Sequence, residues 1–197
     1  MENILKQSEK DFSKTSETIQ TIIIALIAFL VPTFLAQLIR LIFGADSIIT
    51  TNSQLIVGSI VNTALVISAL NLKGWTKIIF VITMPSISTI LSGYVFKSAS
   101  VYMVWMIPAI WLGNLALILA FKYIKIAKQK NYFLASIIGV ISKVIIIFGF
   151  FTILNTLNIF PEKLVSNLQK AMSLTQLITA IIGCAIAFGI YKLESRK

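Results

Sequence analysis

The sequence contains no histidine, one cysteine and only seven acidic residues. Without histidine, imidazole-activated nucleophiles are excluded. The scattered acids leave no paired-carboxylate acid–base set and no usual zinc site. A single thiol, Cys184, permits no intrachain disulfide and reads as a small packing hydrophobe. No G-x-x-x-x-G-K-[ST] phosphate loop occurs, so the chain has no such device for using ATP itself. Charge is scarce, at 12% of residues against about a quarter in soluble domains. None of the acids Glu2, Glu9, Asp11, Glu17, Asp46, Glu162 and Glu194 falls inside the apolar runs, so a carrier that relays protons through buried carboxylates is not expected. We expect no cofactor and no independent enzymatic activity.

What the chain has in excess is hydrocarbon. It is 57% hydrophobic with a mean hydropathy of +0.92 over 197 residues. A bilayer core of roughly 30 Å requires about 20 apolar residues per helix, and six such runs occur, at about 21–43, 54–72, 76–96, 99–123, 132–157 and 174–192. Runs such as "TIIIALIAFL" lack the two-residue alternation of barrel strands, so the expected fold is an all-α membrane protein of six transmembrane helices. Residues 1–20 read as a polar N-terminal tail that is retained, and 21–197 as one membrane domain. The acids of the tail and the lack of a small-residue cleavage site argue against a signal peptide.

The net charge of +10 is explained by where the cations lie. With alternating spans, Lys6, Lys10, Lys14, Lys73, Lys77, Lys122, Lys125, Lys128, Lys130, Lys192, Arg196 and Lys197 share one side. Arg40, Lys97, Lys163 and Lys170 occupy the other, and Lys143 lies within a span. Positive-inside bias then puts both termini on the cytoplasmic side of a multi-pass membrane protein. The basic excess faces anionic lipid, and no nucleic-acid partner is implied.

Polar and aromatic residues gather in the outer half of the expected bundle. Ser59, Asn62 and Thr63 share a helical face, and Pro85, Ser86, Ser88, Ser92 and Tyr94 lie at or beyond mid-depth in the third span. The fourth span descends through Tyr102, Trp105, Pro108, Trp111 and Asn114, and the sixth begins with Thr175 and Gln176. Interhelical hydrogen bonding and an interfacial aromatic belt account for some of these, Tyr94 and Tyr102 among them. The asymmetry as a whole suggests a cavity open to the outside. Between the last two spans, Phe160, Leu164, Val165, Leu168 and Met172 recur at helical spacing among polar residues. They mark an amphipathic helix, either a lid over that cavity or an interfacial connector.

Lys143 is the anomaly. It lies 11 positions beyond Tyr132, roughly 16 Å at 1.5 Å per residue, near mid-membrane. A lysine there costs about 2.5–3.5 kcal/mol on insertion scales, and no carboxylate lies within reach in the sequence. The expected partner is therefore not a side chain. Either backbone carbonyls, hydroxyls and water solvate the amine, or it meets an anion arriving from outside. Small residues four apart (Ala109 and Gly113, Ala116 and Ala120, Ala135 and Gly139, Gly183 and Ala187, Ala185 and Gly189) permit close helix approach, with 183–189 the best candidate for a face toward another protein.

In helix number, length, basic fourth loop and long connection before the last span, the chain resembles the substrate-binding S component of an energy-coupling factor (ECF) transporter. Locally, "MPSISTILSG", "MIPAIWLGN" and "SKVIIIFGF" are similar to segments of clostridial-type members. The resemblance implies a ligand held in the outer half of the bundle and, as partners, a transmembrane coupling protein and two cytoplasmic ATPases. It also implies a docking face with two alanines four apart in the first helix, whereas here Ala25 and Ala28 are three apart. On this reading the substrate is a small vitamin-like micronutrient with an anionic group. Lys143 binds the anion, Trp105 and Trp111 supply apolar or ring contacts, and Asn62, Ser88, Asn114 and Gln176 supply hydrogen bonds. The alternative is a membrane scaffold or assembly subunit that transports nothing, in which the same polarity holds helices together.

Overall fold

The computed structural model describes residues 6–8, 13–93 and 95–194, apart from the side chains of 97, 98 and 194; Tyr94 lies outside the described residues. Among the described residues there is no strand, and six helical stretches are long and apolar enough to cross a membrane, the make-up of a multi-pass membrane protein.

The first helix starts within the polar segment expected to be tail. Ser13 caps it, its Oγ accepting from Ser16 N at 3.2 Å, so α1 (Lys14–Leu30) begins several residues before the apolar run. Pro32 then removes a backbone donor, and the ladder widens into a π-helical turn at Val31–Leu35 before resuming as α2 (Ala36–Phe43). Gly44, at φ 82°, ends the span. A single turn, α3 (Ile48–Thr51), leads into α4 (Ser53–Asn71) and then α5 (Trp75–Ser92), which carries Pro85 in its interior.

The fourth span is irregular at both ends. Residues Lys97–Met106 wind as a 3₁₀ helix, Pro108 sits in the first turn of α6 (Ile107–Ala120), and Phe121–Ala127 forms a second π-helical stretch. Asn131 caps α7 (Tyr132–Thr156), accepting from Phe133 N at 2.8 Å. The amphipathic segment forms α8 (Glu162–Met172), followed by α9 (Leu174–Glu194). Leu168, Ala171 and Met172 of α8 are buried, whereas Glu162, Lys163, Asn167 and Lys170 are exposed.

α4 is the central helix, buried along most of its length against α1, α6 and α9. Lipid offers apolar side chains no reason to leave it, so close packing and polar links must hold the helices together. The closest approach joins α9 to α4: a Cβ placed on Gly183 would lie 2.5 Å from Asn62 Cβ and 2.9 Å from Thr63 N. Gly183 and the buried Ala187 therefore face the bundle interior, not a partner; Ala185 and Gly189 remain on the outside. Gly139 packs likewise against Leu117 and Ala120, joining α7 to α6. Ala25 and Ala28 are buried too, so they offer nothing to an external docking surface.

Each end of the bundle has its own polar ties. At one end Glu17 Oε1 accepts from Lys73 N at 2.5 Å and pairs with Lys77 Nζ at 2.9 Å. There Lys122, fully buried, donates to Leu72 O at 2.6 Å and to Gln7 O at 2.5 Å. We call this the terminal end. At the opposite end, residues 51–55, 95–99 and 164–178 converge around a cavity.

Candidate functional site

Lys143 is 2% exposed, and its Nζ donates to Asn62 Oδ1 at 2.5 Å and to Asn114 Oδ1 at 2.7 Å. Its partners are thus side chains, contrary to the expectation from the sequence: neutral amides on α4 and α6, reached because both helices pack against α7 or its neighbours. The Asn62 amide cannot turn freely. Its Nδ2 donates to Gly58 O at 2.9 Å and to Thr179 Oγ1 at 3.2 Å, which leaves Oδ1 aimed at the lysine. Thr179 is itself held by a bond to Thr175 O at 2.8 Å. A chain of polar groups running from α9 through α4 therefore positions one acceptor of the α7 amine.

Two amide dipoles solvate an ammonium without neutralising it. Charged, Lys143 has three N–H groups, and among the described residues two are taken. The amine borders a chamber with about 80 Å³ of room for the centres of water-sized molecules. A single water needs roughly 10–15 Å³ by that measure, so the space suits a few waters or one small polar group. Among the described residues, the polar side chains in its wall are Gln54, Asn62, Ser86, Thr89, Asn114 and Gln176, Lys143 is its one charged side chain, and it has no carboxylate. Ser86 Oγ is buried with no hydrogen-bond partner, a state that costs about 1–3 kcal/mol. Pro32 and Pro85 also face the chamber, so the π-helical turn and the interrupted α5 ladder lie in its wall.

A second and larger cavity, about 570 Å³ by the same measure, abuts the first. The two share Gln54, Val95 and Phe96. Its far wall is α8, through Leu164, Asn167, Leu168, Lys170 and Ala171. Chamber and vestibule together thus place one cation, Lys170, at the mouth and another, Lys143, at the base, and among the described residues neither wall contains an acid.

Of the residues singled out in the sequence, Lys143, Asn62, Asn114 and Gln176 come together around the chamber. Ser88, Trp105 and Trp111 do not line it. Ser88 is fully buried between helices, bonded to Phe29 O and 2.5 Å from Thr33 Oγ1, and ties α5 to the first span. Trp105 is 56% exposed, because the 3₁₀ winding of 97–106, at three residues per turn, rotates it off the face that a continuous α-helix would give it. Trp111 packs half-buried against the main core, its Nε1 buried without an acceptor. Met103, Ile110 and Asn114 form that wall instead. Sequence reasoning did not select Ser86, Thr89 and Gln54. The signal for the first two was their three-residue spacing, which puts them on one face of α5 opposite Ser88.

The arrangement is suited to holding a small anion: one ammonium, amide and hydroxyl groups, and an apolar remainder. Among the described residues no cluster of three or more His, Cys, Asp or Glu side chains is placed to hold a metal ion. Comparison with family models, with curated proteins and with solved structures gave no match.

Proposed function

We propose that the chain is the membrane-embedded binding subunit of an importer, the part played by the S component of an ECF transporter. It captures a small vitamin-like micronutrient with an anionic group from outside the cell. On this reading the vestibule faces outward, both termini are cytoplasmic, and the bacterial plasma membrane is the location. A transmembrane coupling protein and two cytoplasmic ATPases supply the energy that the chain itself has no device to harness.

The observation that carries this reading is the Lys143 amine, held at the base of a chamber by two neutral oxygens with no acid among the described residues of the wall. An ammonium at that depth is costly, and two amides compensate it only in part. An anion completes the compensation. The chamber admits a carboxylate-sized group, and the vestibule, about 570 Å³, accommodates the remainder of the ligand against α8.

One observation favours the scaffold reading: the Asn62–Lys143–Asn114 link ties α4, α7 and α6 into a unit, as a purely structural bridge would. Neutral side chains would make such a bridge without the charge penalty, which is why we prefer the binding subunit. Purification in mild detergent, denaturation and mass spectrometry of released small molecules separate the two. An anionic compound recovered in near-equimolar amount from the natural chain, and absent from Lys143→Met, supports the binding subunit. Repeated recovery of nothing from either chain supports the scaffold.

A further inference from the structure

Away from the chamber, α7 and α9 diverge along their outer faces and leave an apolar groove with about 460 Å³ of room for water-sized centres. Ile137, Ile141, Leu177 and Ile181 line its length, and Phe133 and Phe188 face one another across its terminal end with ring centroids 5.0 Å apart. Such a groove, opening onto hydrocarbon, takes an acyl chain. Any lipid has one, so the groove alone selects nothing.

The charges at its terminal end do. Lys192 Nζ lies 5.0 Å over the Phe188 ring, directly on the groove wall. Lys125 Nζ lies 5.4 Å over the Tyr191 ring, and that ring stacks on Tyr132, another wall residue, at 6.0 Å. Aromatic faces thus hold two ammonium groups from different elements beside the same end of one groove. The loop around Lys125 adds Lys128 and Lys130 with no acid between 121 and 131. The groove occupies the hydrocarbon and the lysines the headgroup level, spaced as the two parts of one phospholipid are. We infer that this is a binding site for an anionic phospholipid, with an acyl chain between α7 and α9 and the phosphate between Lys125 and Lys192. The site shares no lining residue with the chamber and does not depend on the importer reading.

The test uses the full chain in mild detergent, with dioleoylphosphatidylglycerol and dioleoylphosphatidylcholine added at equal concentration and adducts counted by native mass spectrometry. A lysine near an anionic headgroup is worth about fivefold in binding. The glycerol lipid should therefore be retained over the choline lipid by roughly 25-fold, and Lys125→Gln with Lys192→Gln should bring the two level. Lys192 is exposed and Lys125 half-buried; Lys192→Gln alone, at the exposed position, should lower the preference about fivefold and carries the test if the double variant fails to fold. Ile137→Trp with Ile181→Trp, which fills the groove, should reduce adducts of both lipids. Equal retention of the two lipids by the natural chain, or enrichment that survives the lysine changes, overturns the headgroup assignment. Loss with the lysines but none with the groove-filling pair overturns the groove assignment, as does recovery of another protein's helix seated there.

Discussion

If Lys143 serves a ligand rather than the fold, removing it should cost the protein less stability than removing one of its acceptors. In Lys143→Met, two charged hydrogen bonds disappear, at about 1.5–3 kcal/mol each. Against this, the burial cost of the ammonium, about 2.5–3.5 kcal/mol, is relieved. The freed Asn62 and Asn114 oxygens border a chamber with room for several waters, which rehydrate them. About 3–6 kcal/mol lost against about 2.5–3.5 relieved leaves about 0–3 kcal/mol, and the rehydration brings the net to the lower half of that range. Asn114→Leu keeps the ammonium and deletes one of its two acceptors, with no relief of burial, at a cost of about 2–3 kcal/mol. Adding Asn114→Leu to Lys143→Met should then cost almost nothing more, giving a coupling energy of about 2 kcal/mol in the double-mutant cycle. Thermal unfolding followed by helical circular dichroism in mild detergent reads this out. The expected order of midpoints is natural chain at or above Lys143→Met, with Asn114→Leu lowest and the double variant close to Lys143→Met. If Lys143→Met unfolds below Asn114→Leu, the lysine is a structural tie and the reasoning fails; if the two effects add, the two side chains are not coupled and it fails at the bond itself.

Three further outcomes follow from particular contacts. Gly183→Ala drives a Cβ to within 2.5 Å of Asn62 Cβ and should lower stability by about 1–3 kcal/mol while reducing recovery of the bound compound; Gly189→Ala, with nothing within 4 Å, should do neither. Ser88→Ala removes the bonds to Phe29 O and Thr33 Oγ1; it should cost about 1 kcal/mol in unfolding and leave compound recovery unchanged, as should Trp105→Ala, because neither residue lines the chamber. Glu17→Gln breaks the 2.9 Å pair with Lys77 and weakens the bond from Lys73 N; the expected loss is about 1 kcal/mol, measured by the same unfolding assay, with the chamber unaffected.

The sequence made the helical class, the number of membrane-length runs and the amphipathic α8 legible because each rests on a periodicity of apolar residues that packing in lipid does not alter. Lys143, Asn62, Asn114 and Gln176 were legible as a depth-matched polar set, since depth along a helix follows from residue count alone. Rotation about the helix axis does not. Trp105 and Trp111 were assigned to the cavity on depth, but the 3₁₀ winding of 97–106 turns the first outward and the second packs into the core. Ser88 and Ser86 are two positions apart and face opposite ways, one tying α5 to α1 and the other lining the chamber. The π-helical turns, which set the register of residues beyond Pro32 and around Lys122, leave no periodic trace in the sequence. The amide partners of Lys143 were missed because a buried charge calls first for a carboxylate, and two neutral oxygens on separate helices become visible only when the helices are packed.

The most direct measurement is a high-resolution structure of the purified chain in a lipid disc, read at the Lys143 amine. Nζ should be bonded to Asn62 and Asn114, with its third hydrogen turned into the chamber toward an anionic group continuing into the vestibule. A chamber filled by side chains, with the third hydrogen on a backbone carbonyl, would contradict it.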